Sequence, residues 1–378
     1  MSFFVKTTIS KSYSFQDFLR QWRIGNEDLL ISSQRIAKAV FTEEPLSCDV
    51  LYQDREGEPD DEMVDAMLEA IDENETKNGR AYKHIVAVGG STIIGISKLL
   101  VFGSKLRCEE IFNKRAELPR KCKLLAVPTT CGIDGEVTDT TTIAVGKQQT
   151  KRELSAPALF PDEAILIGDL LRTLPYEVFV TNSIDALSHA MEAYISPNST
   201  LFTRTVVESA IERLLTGYKK LAETGGVKAE IVSDDLQSFL TASTMVGMVA
   251  GNAGLVHALS HPISATCNVP HRKANYLIFE EVFATYRRLN ADTSSLEAML
   301  RTLLSCGQRD VTGSDVWKSL FGLLACVSPR QTLREFGVNE AGCREMARWT
   351  VREGQRFLSD NPLPISQEVI EDIYRNCI

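Results

Sequence analysis

A chain of 378 residues is longer than one ordinary hydrophobic core organises, so two domains are expected. With 44% hydrophobic and 24% charged residues the composition is that of a globular protein, and a net charge of −9 argues against a nucleic-acid or anionic-membrane surface. No run approaches the ~18 apolar residues of a spanning helix, and the N-terminal MSFFVKTTISKSYSF lacks the apolar core of a signal peptide. Nine cysteines, an odd number without a C-x-x-C pair, fit reduced thiols in a cytoplasm better than a disulfide frame.

In chain order, short apolar runs alternate with polar helical stretches up to about residue 180, the signature of βαβ units and a parallel sheet. Strands are expected over Asp28–Ser32, Cys48–Gln53, His84–Val88, Lys123–Val127 and Ala164–Ile167. A turn with Gly57 and Pro59 leads into DDEMVDAMLEAIDE, whose apolar Met63, Met67, Ala70 and Ile71 read as one helix face. From Pro175 onward almost no strand pattern remains, and helical stretches run over 203–222, 234–250, 314–327 and 340–358, several introduced by Ser or Asn caps. The expected organisation is therefore an α/β domain over 1–180 followed by an all-helical domain over 181–378.

Two places carry chemistry. The third strand ends on Gly89-Gly90-Ser91-Thr92, and a helix starts directly there. Glycines let a phosphate approach the backbone, and a helix start offers free N–H groups and the positive end of its dipole. Pro128-Thr129-Thr130-Cys131-Gly132 forms a second hydroxyl-rich strand end beside it, with Cys131 read as a packed small residue rather than a nucleophile. The other place holds four of the five histidines. Asp185 and His189 are four apart, as are His257 and His261, and such pairs share one helix face. His271 follows a Pro-containing turn. A carboxylate with several imidazoles in small apolar surroundings suits a divalent Zn or Fe ion. Spacing allows two ligand sets: Asp185, His189, His257 and His261, or the same set with His271 in place of His261.

The segments GEPDDEM (57–63), AVPTTCG (126–132), LPYEVFVTNSIDALSHAMEAYISPN (174–198), GNAGLVHALSHP (251–262), VPHRKANYLIF (269–279), LREFGV (333–338) and EGQRFL (353–358) resemble the iron-containing, group III alcohol dehydrogenase superfamily, and within it the 4-hydroxybutyrate dehydrogenases. The resemblance implies a Rossmann-like parallel-sheet domain followed by an all-helical metal-binding domain, the dehydroquinate synthase-like arrangement, with cofactor and metal in the cleft between them. It implies Asp185, His189, His257 and His271 as ligands of Fe2+ or Zn2+. It implies NAD or NADP contacts at Gly89, Gly90, Ser91, Thr92, Thr129, Thr130, Lys151 and His261, the last approaching the nicotinamide and relaying the proton. Expected partners are a small, anionic aldehyde or alcohol and further copies of the same chain, with no nucleic acid and no membrane. The activity implied is interconversion of 4-hydroxybutyrate and succinic semialdehyde. The alternatives are reduction of sulfo- or phosphonoacetaldehyde, a dehydroquinate synthase-like lyase, and a catalytically impaired homologue.

The chain departs from the family pattern at five positions. The phosphate loop has Ser91 for its third glycine and Gly95 for its aspartate, and Asp134 brings a negative charge to a loop expected near the dinucleotide. Ser33 stands where NAD-specific relatives often place an acid. After the last ligand the usual glycine is Arg272, whose guanidinium is expected to meet an anionic group of the substrate.

Overall fold

The computed structural model describes residues 4–41, 46–55, 59–114, 119–146, 150–225, 228–249, 251, 253–305 and 315–378. Gly57, Asn252, Cys306 and the helix-end positions 250 and 314 lie outside the described residues. The chain divides into two compact units, Phe4–Leu174 and Pro175–Ile378. The expected border at residue 180 falls inside a helix, Tyr176–Ile195, which Pro175 opens.

The first unit is built on strands β1 (Thr8–Lys11), β2 (Asp28–Ser32), β3 (Asp49–Tyr52), β4 (His84–Gly89), β5 (Lys123–Pro128), β6 (Thr140–Val145), β7 (Thr150–Ser155) and β8 (Glu163–Leu166). Six of these form a parallel sheet in the order β1-β8-β5-β4-β2-β3, while β6 and β7 pair antiparallel as a separate ribbon. The central strands are apolar almost throughout because both faces are covered by helices. Alternation sorts their side chains: Leu29, Ile31, Ile85, Ala87, Leu124 and Ala126 pack on one face with Val64, Leu68, Ile94 and Leu99. Leu30, Val86, Val88, Leu125 and Val127 pack on the other with Phe15, Phe18 and Ile36. The sheet order reverses between β2 and β4, and the carboxyl ends of the strands at such a reversal are where open α/β sheets bind ligands.

Three strands escaped the sequence reading. β1 (TISK) is a polar edge strand, and the ribbon strands β6 (TTTIAV) and β7 (TKRELS) are rich in threonine and charge. The ribbon is held by Lys98, a fully buried lysine whose Nζ donates to the carbonyls of Thr138 (2.8 Å) and Thr140 (2.7 Å). Burial pushes this ammonium down to about 8, opposed by the charges of Asp134, Glu136 and Asp139.

Among its described residues the second unit contains helices and no strand. The stretches expected at 203–222, 234–250 and 314–327 form the helices Leu201–Glu223, Ser233–Gly247 and Val316–Val327. The stretch read as 340–358 is instead two helices, Glu340–Glu353 and Gln355–Leu358. The break is at Gly354, where a Cβ would lie 2.6 Å from the Thr350 carbonyl oxygen. Among the described residues no helix is long and apolar enough to cross a membrane.

Candidate active site

In the first unit, β4 and β5 run in register so that Gly89 pairs with Pro128, and the Thr129 N–H donates to the Gly89 carbonyl (3.1 Å). The two expected loops therefore lie side by side at the carboxyl ends of adjacent strands. Gly89 is required by packing: a Cβ there would lie 2.6 Å from the Ile93 side chain. Gly90 is the N-cap of the helix Ser91–Leu100 and offers it no side-chain cap, so the first N–H groups of that helix have no side-chain oxygen supplied by the cap. Ser91 is exposed and Thr92 half-buried at this turn, whereas Thr129 and Thr130 are buried behind it. Such a helix start, with a glycine as cap, can receive a phosphate.

The departures have local explanations. The Gly95 carbonyl accepts from Thr141 Oγ1 at 2.9 Å, and a Cβ on Gly95 would be 3.2 Å from that oxygen, so the ribbon closes over the place where a larger side chain would stand. Asp134 is exposed and acts electrostatically on Lys98. Ser33 uses its side chain to cap the helix Gln34–Val40, accepting from the Ile36 N–H. Lys151 lies exposed on β7 opposite Ala144, in the ribbon rather than at either strand end.

In the second unit, one helix, Tyr176–Ile195, carries Asp185 and His189, and the helix Leu255–Cys267 carries His257 and His261. Asn268 ends the latter in a left-handed conformation (φ 51°), which Asn tolerates, and Pro270 starts the next helix, His271–Arg288. This turn brings His271 back toward Asp185. One donor atom each from Asp185, His257 and His271 lie within 4.8 Å of one another. His189 stands outside that trio, its ring 4.8 Å from the His257 ring. His261 is one turn further along its helix, with its ring 4.9 Å from His271, 5.2 Å from Phe357 and 6.4 Å from Trp349.

Each member of the trio is fixed from behind. His257 Nδ1 is 2.7 Å from Glu192 Oε2, which leaves its Nε2 facing Asp185 Oδ1 at 3.6 Å. Ser260 Oγ donates to the His257 carbonyl (2.9 Å) and so accepts from His271 Nδ1 (3.1 Å), leaving the His271 Nε2 lone pair for the site. Asn275 Nδ2 donates to Asp185 Oδ1 and lies 3.4 Å from His271 Nε2. Burial pushes the His271 imidazole down to about 3, which favours the neutral ring whose lone pair a metal requires. Arg272 Nε is 3.7 Å from Asp185 Oδ2, and the side chain is 28% exposed. Lys273 turns aside to Glu177 at 2.7 Å.

Glu192, Ser260 and Asn275 escaped the sequence reading. Their positions carried a signal all the same: seven after Asp185, three after His257 and four after His271, each on the same helix face as one member of the trio while supporting another.

Residues 24–167 match the family described as Iron-containing alcohol dehydrogenase, and residues 179–378 match Fe-containing alcohol dehydrogenase family, C-terminal. The 4-hydroxybutyrate dehydrogenase of Clostridium kluyveri is 33% identical over 367 residues, covering 95% of each chain. Among solved structures, the sulfoacetaldehyde reductase from Bifidobacterium kashiwanohense in complex with NAD+ is similar in fold. Its TM-score is 0.80 at 19% identity, over 100% of this chain and 98% of that one. A 1,3-propanediol oxidoreductase gives a TM-score of 0.78 at 21% identity, over 100% and 99%.

Proposed function

Because the chain belongs to the iron-containing alcohol dehydrogenase family, we propose that it interconverts a short ω-hydroxy acid and its aldehyde, with 4-hydroxybutyrate and succinic semialdehyde as the favoured pair. The observation that carries this reading is a guanidinium beside the convergent donors: Arg272 directly follows His271, and its Nε is 3.7 Å from Asp185. The similarity to a 4-hydroxybutyrate dehydrogenase over 95% of the chain supports the alcohol dehydrogenase activity on which this reading builds.

The donor set fits a divalent ion. Asp185, His257 Nε2 and His271 Nε2 converge, both imidazoles are held by a partner on their other nitrogen, and His189 beside His257 is assigned as the fourth ligand. Fe2+ or Zn2+ bound there supplies Lewis-acid polarisation of a carbonyl oxygen, and NADH or NADPH supplies the hydride. The protein's own residues do the rest. The backbone N–H groups at Gly89–Thr92 hold the pyrophosphate, with Thr129 and Thr130 forming the neighbouring strand end. His261, flanked by Phe357 and His271, is assigned the proton, since an imidazole can both give and accept one. Arg272 orients the substrate by its anionic end. The eight described cysteines are free thiols, which supports a cytoplasmic setting.

The test is a set of steady-state assays with NADH and with NADPH on succinic semialdehyde, sulfoacetaldehyde and uncharged butyraldehyde. A charge-assisted hydrogen bond of about 1.5–3 kcal/mol predicts a kcat/KM preference of roughly 10- to 100-fold for the anionic aldehydes. Equal kcat/KM on butyraldehyde would contradict the substrate class, and a strong preference for sulfoacetaldehyde would move the assignment to sulfonates.

A further inference from the structure

The carboxylate of Glu192 is buried, with 2% of the residue exposed, and is the shared partner of two different features. Its Oε2 lies 2.7 Å from His257 Nδ1 and accepts from the Gly254 N–H at 3.0 Å, and its Oε1 accepts from the Val256 N–H at 2.5 Å. The helix Leu255–Cys267 has no side-chain cap from its own N-cap residue, Gly254, so Glu192 supplies from another helix the oxygens that its first N–H groups lack. The approach depends on that glycine: a Cβ on Gly254 would sit 3.0 Å from Glu192 Oε1 and 3.2 Å from Asn361 Oδ1.

We infer that Glu192 is a positioning residue, which fixes the tautomer of His257 and ties the presentation of its Nε2 to the start of the helix that carries it. The inference rests on the reading of Asp185, His257 and His271 as a metal centre. An ionised carboxylate can only accept hydrogens, so the hydrogen between it and His257 belongs to Nδ1 and the lone pair to Nε2. Asp185 and Glu192 are seven residues apart on one helix and therefore on one face. That helix meets the imidazole on both sides, with Asp185 at Nε2 and Glu192 at Nδ1. The negative charge behind the ring also makes the imidazole a stronger donor to a cation.

Glutamine is nearly isosteric but cannot replace it. Three donors point at Glu192, and an amide has one oxygen. If its NH2 faces Val256, the helix start loses its acceptor. If its NH2 faces His257 and Gly254, Nδ1 must become the acceptor, and the ring hydrogen moves to Nε2, where it blocks a metal. Both arrangements lose the charge.

The experiment measures Zn2+ affinity by chelator competition for wild type, Glu192→Gln and Glu192→Asp. It adds 15N-histidine spectra of the metal-free proteins, tractable because the chain has only five histidines. Wild type is expected to show His257 as the Nδ1–H tautomer with a strongly hydrogen-bonded proton. Glu192→Gln is expected to bind Zn2+ about 10- to 100-fold more weakly, the usual effect of losing an outer partner of a ligating histidine. Glu192→Asp keeps the charge and should recover part of that loss. Wild-type protein with His257 as the Nε2–H tautomer would overturn the inference with no variant needed, even if Glu192→Gln fails to fold. Folded Glu192→Gln that binds Zn2+ as tightly as a metal-binding wild type would overturn it too, with the metal centre intact. A wild type that binds no Zn2+ and no Fe2+ would instead overturn the metal reading on which it rests.

Discussion

Purified His271→Ala protein is expected to lose its divalent ion, while His261→Ala retains a full equivalent and loses turnover. The structure brings one donor atom each from His271, His257 and Asp185 together and leaves His261 a helical turn away among Phe357 and Trp349. Removing one of few ligands should weaken metal binding by more than the roughly 10- to 100-fold typical of an outer-shell change. Removing a proton-transfer group should lower kcat by about 10²–10⁴ with metal content unchanged. Metal analysis and kcat of the two purified variants check this. A metal-replete His271→Ala beside a metal-free His261→Ala would reverse the two roles.

The second large effect is on substrate choice. Arg272 stands where the resemblance places a glycine, so Arg272→Gly takes away the guanidinium without introducing a new side chain. Succinic semialdehyde should lose about 10- to 100-fold in kcat/KM, while butyraldehyde changes little. Because Arg272 also lies 3.7 Å from Asp185, metal content has to be measured in the same preparations. If the preference for the acid survives in metal-replete Arg272→Gly, the anionic end is held by another residue.

Much of the fold was legible in the sequence for one physical reason: strands covered on both faces must be apolar throughout. β2, β4, β5 and β8 declare themselves by their Leu, Ile, Val and Ala runs. β1 and the β6–β7 ribbon do not, because edge and ribbon strands need no apolar run, and the ribbon is pinned by Lys98 from a distant part of the chain. The histidine pattern was legible as a cluster, but spacing could not choose between His261 and His271. That choice depends on the turn at Asn268 and Pro270, which sends the chain back so that a residue after the helix approaches Asp185 more closely than one a turn along it. The resemblance named His189 beside the other three, and the trio with mutual distances within 4.8 Å does not include it. Glu192 does not stand out in the sequence because a glutamate on a helix is ordinarily a surface residue. Its burial and the convergence on it of two backbone N–H groups and His257 Nδ1 show otherwise.

The most direct test of the account is metal dependence. NADH and NADPH oxidation with succinic semialdehyde is measured on protein stripped by a chelator and on the same protein reloaded with Fe2+ or Zn2+. Turnover is expected to be absent in the stripped protein and to return on reloading with at least one of the two ions, with one nicotinamide cofactor oxidised per aldehyde reduced. Full turnover in protein shown to be metal-free would contradict this expectation.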